Sequence, residues 1–409
     1  MSGKRGNGEG SIYPYRNGFA AYVWVDTPDG KRKRKYVYGP TRTAVHGKWV
    51  KLHSDAGKGP VATSSPTVAQ HLAYWLKEVV QPDLKPKTAE TYAMHARLYI
   101  GPGLGEKRLD KLAVRDVRTW INRLLDQCQC CAQGKDERRS TDERRCCAVG
   151  NCCEQIPSRR TVQDARAVLR SALTNAMTEE LITKNVAGLV KVRSGRKRKR
   201  EPWSVEEART FLEAARTAAD PLYPAYVLIL VLGFRRGEVL GLTWKNVDLD
   251  AGEITVEHQL QRINRQLVHA ETKTGASAAT LPLPQICVTA LRLRRQAQAI
   301  ARKAAGEIWT ASDFVFTTRY GTPIEPRNFN REFAARSARA GVRKIRLHDT
   351  RHTCGSLLAA LDVHPRVAMQ ILRHSKIAVT MEVYTHIPSE GTRKALRKLG
   401  KHLDAQDQM

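Results

Sequence analysis

Four local patterns in the sequence gather residue types able to work on a phosphodiester. Gly233-Phe234-Arg235-Arg236-Gly237-Glu238-Val239-Leu240 sets an arginine at the start of an amphipathic stretch, and Lys273-Thr274-Gly275 puts a cation beside a turn. Leu347-His348-Asp349-Thr350-Arg351-His352 spaces His348 and Arg351 three apart, hence on one helical face. Leu372-Arg373-His374-Ser375 is followed, ten residues after His374, by Tyr384. A guanidinium is planar and grips phosphoryl oxygens with paired hydrogen bonds. An imidazole or an ammonium moves protons, and a phenol becomes a nucleophile once its proton is taken. Singly, each pattern is weak: the arginines read equally as surface cations, the histidines as packing residues and Tyr384 as a core aromatic. Their order along the chain carries more than any one of them.

Taken in order, the patterns resemble the catalytic domain of tyrosine recombinases, the family of phage integrases and chromosome-dimer resolvases. That family carries an arginine in a Gly-x-Arg-x-x-Glu setting, a hairpin lysine, a His-x-x-Arg box, a Leu-Gly-His-Ser-like box and a tyrosine. The matching positions are Arg235 with Glu238, Lys273, His348 with Arg351, His374 and Tyr384, spanning roughly residues 200 to 390. The resemblance implies a site-specific DNA recombinase that cleaves and rejoins DNA through a 3′-phosphotyrosyl intermediate, integrating or excising a mobile element. It makes Tyr384 the nucleophile and Arg235 and Arg351 the clamp on the non-bridging oxygens. His348 then assists removal of the tyrosine proton, His374 hydrogen-bonds the scissile phosphate, Lys273 protonates the departing 5′ oxygen, and Glu238 orients its neighbours. No cofactor is required for such chemistry, because the arginines replace the divalent ions of many nucleases. The implied partners are double-stranded DNA attachment sites, further copies of the chain in a homotetramer, and an excisionase or DNA-bending protein.

Two positions depart from the family pattern. Arg373 stands where glycine is usual, and Ser277-Ala278-Ala279-Thr280 lacks an arginine that many relatives carry. Two rival readings stay open: a type IB topoisomerase-like strand transferase, and a DNA-binding regulator without catalysis.

The bulk of the chain agrees with a nucleic-acid partner. Its 409 residues carry a formal net charge of +29, with basic residues from Lys4 to Lys401. Such a surface releases counterions from a polyanion. No apolar run reaches the ~18 residues of a membrane span, and Met1-Ser2-Gly3-Lys4-Arg5-Gly6 leads into no signal segment. A cytoplasmic, nucleoid-associated protein with no membrane partner is expected.

The elements that must hold these groups predict an α+β multidomain chain. Residues 1–62 read as an arm-type DNA-binding domain, a small N-terminal β-sheet plus a helix. Phe19 to Val25 is strand-like, Pro28-Asp29-Gly30 turns the chain, and the return opens with Lys31, Arg32, Lys33, Arg34 and Lys35. That cationic strand would face phosphates; a solvated edge strand is the alternative. Residues 63–192 read as an all-α core-binding domain. Val68, Leu72, Trp75, Leu76 and Val79 mark a helix closed by Pro82, and a second helix runs from Thr88 to Ile100 and stops at Gly101-Pro102. Val168, Leu169, Ala172, Leu173 and Ala176 form a further stripe.

Residues 193–202 are a basic linker in which Arg196, Lys197 and Arg198 would track the DNA backbone. Residues 203–409 predict the catalytic domain, mainly helical with a small antiparallel sheet. A capping box, Ser204 with Glu207, opens it. A helix through Tyr226 to Leu232 ends near Gly233, and Ile254, Val256 and His258 alternate as a strand. A hairpin with Lys273-Thr274-Gly275 near its turn returns through Thr280-Leu281-Pro282-Leu283. Leu396, Leu399 and Leu403 form an apolar stripe suited to a neighbouring copy or to the domain's own core.

Seven of the nine cysteines fall between Cys128 and Cys153, inside an insertion spanning 127–155. One tight cluster in a large basic chain argues against a secreted disulfide scaffold. Cys128 and Cys131 are spaced as in a zinc knuckle, and Cys147 with Cys152 supply a second pair, so a structural zinc site is one reading. A reduced, thiol-rich loop is the other. Cys287 and Cys354 read as small apolar residues.

Overall fold

The computed structural model describes residues 12–27, 30–59, 65–193, 195, 201–272 and 278–384. It has the α+β character expected, and the chain divides into two compact units, Met1–Lys197 and Arg198–Met409. The basic positions Arg196, Lys197 and Arg198, the hairpin cation Lys273 and the stripe of Leu396, Leu399 and Leu403 lie outside the described residues.

The first unit contains two separate hydrophobic clusters. At its front, β1 (Tyr13–Tyr15), β2 (Gly18–Asp26) and β3 (Arg32–Gly39) form an antiparallel sheet in that order. The helix Arg42–Lys58 covers one face, burying Val45, Trp49 and Leu52 with Ala21, Val23 and Val25. Side chains along a strand alternate between faces, and this splits the five cations. Lys31 precedes β3. Lys33 pairs with Val25 and Lys35 with Val23, which places both on the helix-covered side, and burial lowers the pKa of Lys35. Arg32 and Arg34 share the open face with Trp24, Tyr22, Tyr36 and Tyr38. The Arg34 guanidinium stands 4.7 Å from the Trp24 ring and 4.9 Å from that of Tyr22. The cationic strand is therefore not one uniform surface; its open face is an arginine–aromatic ladder.

The helical body that follows packs Val68, Leu72, Trp75, Ile100, Trp120, Leu169 and Leu173 into a single core. Its second helix overruns the stop expected at Gly101-Pro102 and continues to Leu104. The physical reason is a widened turn over Ala96–Ile100, where Gly101 N–H reaches back to Ala96 O. Pro102 has no N–H to offer the Leu98 carbonyl. That carbonyl instead accepts from Gln133 Nε2 of the cysteine-rich insertion at 2.8 Å.

In the second unit the helix Tyr223–Leu232 is buried on almost every side and stops at Gly233, whose φ of 61° is left-handed. Its Tyr226 joins Trp203, Phe211, Phe329 and Phe333 in an aromatic cluster with ring centroids 5.0–6.1 Å apart. One sheet orders β4 (Val247–Asp248), β5 (Glu253–Val256) and β8 (Ala279–Pro282) as β4-β5-β8, and β6 (His258–Ile263) pairs with β7 (Gln266–Glu271) in a second. The described hairpin turns at Asn264-Arg265, with φ of 47° and 64°, and not near Lys273. Two consecutive positive φ values are what a tight two-residue hairpin of matching twist demands.

The helix Arg236–Leu240 lies close against β6. A Cβ on Gly241 would come within 2.7 Å of Leu260 N and 2.8 Å of Gln259 Cα. From the next strand, His269 Nε2 bonds the Gly241 carbonyl at 2.8 Å. Helix and hairpin are thus seated on one another through a glycine. Gly241→Ala is expected to destabilise the chain by about 1–3 kcal/mol, the usual cost of overpacking; a urea midpoint equal to that of the unsubstituted protein would count against this contact.

Candidate active site

Arg235 is the residue from which the helix Arg236–Leu240 springs, and Glu238 in its first turn caps it: Glu238 Oε2 accepts from Arg235 N at 2.9 Å. The Arg235 guanidinium also bonds Glu238 Oε1. Arg235 remains 36% exposed while Glu238 is 3% exposed, so the carboxylate is buried and the cation reaches outward.

Arg351 lies one turn into the helix Asp349–Ala360 and is buried. Its Nη1 donates to the Gly233 carbonyl at the end of the central helix at 2.5 Å, and its Nε donates to His374 Nε2 at 3.3 Å. Its Nη2 is buried with no hydrogen-bond partner among the described residues. Burial, with Arg235 and Arg373 adding to it, brings its pKa down to about 9. A buried guanidinium is thereby left with unused donor capacity in a cation-rich setting.

His374 is half-buried. A guanidinium only donates, so Nε2 accepts from Arg351 and the ring proton sits on Nδ1, 2.9 Å from Thr380 Oγ1. Burial, then Arg351 and Arg235, press its pKa down to about 4, and the ring is neutral near neutral pH.

Arg373 explains its own departure from glycine in part. Its φ of 53° and ψ of 48° are left-handed, the conformation glycine adopts at no steric cost. The side chain gives the compensation: it is fully buried, its Nη2 stands 2.9 Å from Glu238 Oε2, and its guanidinium lies 4.7 Å from the Phe234 ring. Burial works to raise the Glu238 pKa, but Arg373 and Arg235 outweigh it and hold the carboxyl below its ordinary value.

Arg235, Glu238, Arg351 and His374 are thus brought together. His348 stands exposed at the start of the Arg351 helix, its ring 6.0 Å from that of His352. Tyr384 is the last residue of the helix Ile377–Tyr384, one turn beyond Thr380. Arg373 and Thr380 are the partners that sequence reasoning missed as participants. The glycine-to-arginine departure signalled the first; the second, a fully buried threonine, left no signal. In the insertion, Cys128, Cys131, Cys147 and Cys152 bring their Sγ atoms within 4.8 Å of one another.

Against known proteins, the profile of the phage integrase family matches residues 203–390, and that of the phage integrase N-terminal SAM-like domain matches residues 67–125. Together they cover more than half of the chain. The chain belongs to the phage integrase family of tyrosine recombinases. It is a tyrosine-type site-specific recombinase. An integrase of Streptomyces ambofaciens is 27% identical to this recombinase over 409 aligned positions, covering 94% of each chain. Among solved structures, the Tn1549 transposon integrase in complex with a circular intermediate DNA superposes with a TM-score of 0.62 at 19% identity, covering 82% of this chain and 100% of that one. A lambda integrase tetramer bound to a Holliday junction gives a TM-score of 0.55 at 17% identity, covering 91% and 94%. These likenesses carry the fold. Among the described residues of the recombinase, no helix is long and apolar enough to cross a membrane.

Removing one partner of a buried charge cluster leaves the others short of a counter-charge and of hydrogen bonds. Arg373→Ala is therefore expected to destabilise the recombinase by about 3 kcal/mol in urea unfolding. In that background Glu238→Gln should cost less than it does alone, as a direct coupling requires. Strictly additive losses would show that the two groups do not act on each other.

Proposed function

We propose that this recombinase integrates or excises a mobile DNA element, with Tyr384 attacking the scissile phosphate to leave a 3′-phosphotyrosyl link and a free 5′ hydroxyl. The observation that carries the reading is the charge balance of the site. Three guanidiniums, those of Arg235, Arg351 and Arg373, surround one carboxylate, and a buried Arg351 nitrogen has no partner among the described residues. A phosphodiester supplies the missing anion. Its negative charge grows as a fifth oxygen approaches phosphorus, so the clamp by Arg235 and Arg351 tightens most at the transition state.

His348 takes the tyrosine proton, and Lys273 returns one to the departing 5′ oxygen. His374 donates to the phosphate after its proton passes to Nε2; the Thr380 hydroxyl allows this by turning to donate to Nδ1. Because the guanidiniums supply the positive charge that metal ions provide in other phosphoryl transfers, the chemistry requires no metal cofactor. The link to Tyr384 conserves the bond energy for rejoining. Double-stranded attachment sites are the substrate, and their location in the chromosome makes the nucleoid the place of action. A homotetramer is the working assembly, a reading supported by the lambda integrase tetramer on a Holliday junction, and an excisionase or DNA-bending protein selects the direction of reaction.

The test of the nucleophile uses a nicked attachment-site DNA from which the cleaved end diffuses away. Unsubstituted protein should accumulate an adduct stable to SDS. Tyr384→Phe should bind the same DNA and form none; undiminished adduct would overturn the assignment, and on a separate, unnicked supercoiled plasmid relaxation without exchange of partners would favour a topoisomerase.

The open face of the front sheet offers stacking rings and two arginines to an arm-type site. Arg32→Ala with Arg34→Ala should weaken binding to arm DNA and lower its salt slope by about two ions. Lys33→Ala with Lys35→Ala should change the slope less, because those residues lie on the helix side. Equal effects of the two pairs would mean that the ladder is not the contact surface.

A further inference from the structure

The cysteine-rich insertion has almost no apolar core of its own. Between residues 127 and 157 its regular structure is one short helical turn, Gln129–Ala132, and two 3-10 turns, Thr141–Glu143 and Cys147–Val149. Val149 and Ile156 are exposed, and the buried apolar side chains there are those of Cys128 and Cys130. A segment of this length without a core needs another cross-link to hold one shape.

All seven sulfurs converge. Sγ atoms lie 3.8 Å apart for Cys130 and Cys146, 3.6 Å for Cys131 and Cys152, 3.9 Å for Cys147 and Cys153, 4.0 Å for Cys128 and Cys147, and 3.8 Å for Cys128 and Cys153. A disulfide would put two of them about 2.05 Å apart. Four thiolates around a tetrahedral zinc at about 2.3 Å stand about 3.8 Å from one another. Two sets of four keep all their sulfurs within 4.8 Å of one another, within about 1 Å of that spacing: Cys128, Cys131, Cys147 and Cys152, and Cys130, Cys146, Cys147 and Cys153. Cys147 belongs to both.

We propose that the insertion holds a dinuclear zinc–thiolate centre in which Cys147 bridges the two ions. The proposal deepens the single four-cysteine site that is one of the two readings of the sequence and does not depend on the recombination chemistry. Seven is an odd number for disulfides, but it is the number that two four-coordinate ions require when they share one ligand. Each thiol ligates as a thiolate and gives its proton to solvent. Within each set the sulfurs are within 4.8 Å of one another, a cage for a single ion; bridging inorganic sulfide, as in iron–sulfur clusters, would spread the ligands further.

Polar groups around the sulfurs fit the role. Gln155 N–H donates to Cys128 Sγ at 3.2 Å. The fully buried Asp136 carboxylate accepts from the backbone of Cys146 at 2.9 Å and of Ala148 at 3.1 Å, and from Arg139 Nη1 at 2.7 Å. Asp136 thus fixes the turn that presents Cys146 and Cys147, as outer-shell carboxylates do in metal sites. Gln133, between the two ends of the insertion, reaches the Leu98 carbonyl that Pro102 leaves open. The metal centre would hold Gln133 in place and so seat the insertion on the helical body.

Full-length protein purified under reducing, chelator-free conditions should carry two zinc ions per chain by elemental analysis. Replacing zinc with cadmium-113 should give two NMR resonances split by coupling through the shared thiolate. Cys131→Ser lies in one set only and should shift one resonance more than the other, whereas Cys147→Ser should abolish the splitting. One zinc or none per chain, bound iron with sulfide, or two resonances without mutual coupling in the unsubstituted protein would overturn the proposal. The measurements on unsubstituted protein stand even where a variant fails to fold, and none of them reads recombination.

Discussion

The Glu238 carboxylate, 3% exposed, lies between the guanidiniums of Arg235 and Arg373. It fixes Arg235 through the backbone and the side chain, and it fixes Arg373 from a point 135 residues away in sequence. In doing so it joins the start of the helix Arg236–Leu240 to the turn that follows the helix Pro365–Leu372. Taking such charges out of water costs several kcal/mol per ion, which their attraction only partly offsets. The arrangement is better understood as placement than as stabilisation. Without the carboxylate, three guanidiniums confined to one site would repel one another, and the site could not keep Arg351 buried with a donor unused. With it, the site retains an excess of two positive charges in a setting that water screens poorly. That excess is what a phosphoryl group gaining charge would meet.

Most of this was legible in sequence where a residue type and a spacing were both demanded by chemistry. Arg235, Glu238, Arg351 and His374, the four that the fold brings together, each stand in a short box, and the boxes stand in order. What escaped were partners chosen by tertiary geometry. Arg373 was visible as a departure from glycine, but nothing local said that its side chain would turn inward to Glu238. Thr380 is a small hydroxyl in an ordinary helical stretch, and only its hydrogen bond to His374 gives it meaning.

Elsewhere distant contacts override local rules. Gly101-Pro102 is a sound helix stop unless the carbonyl that proline orphans finds another donor, and Gln133 supplies one from outside the helix. By composition alone the five-cation run is one surface. The period-two rule, applied to the same residues, already separates Arg32 and Arg34 from Lys33 and Lys35, and the burial of the neighbouring valines shows which side faces the helix. Asn264-Arg265 makes the described hairpin turn; an asparagine followed by an arginine is a weaker signal in sequence than Thr274-Gly275, which lies outside the described residues.

The polar contacts of the site form a relay rather than a set of separate pairs. The Gly233 carbonyl holds Arg351, Arg351 holds His374 Nε2, and His374 Nδ1 holds Thr380, one turn before Tyr384 on the same helix. The tautomer of His374 is therefore set by the Arg351 donor, and the Thr380 hydroxyl, on the helix that ends at Tyr384, adapts to it. A phosphate that engages Arg351 competes for the Nε of that arginine and releases His374 Nε2. A displacement of the helix Ile377–Tyr384 breaks the Thr380 bond and releases Nδ1. Only when phosphate and helix are both in place does one neutral ring have an anion to donate to at one nitrogen and a hydroxyl to accept from at the other. On the proposed reading the same two bonds register the presence of a phosphate and the position of the helix that ends at Tyr384, which ties the hydrogen-bonding state of His374 to both.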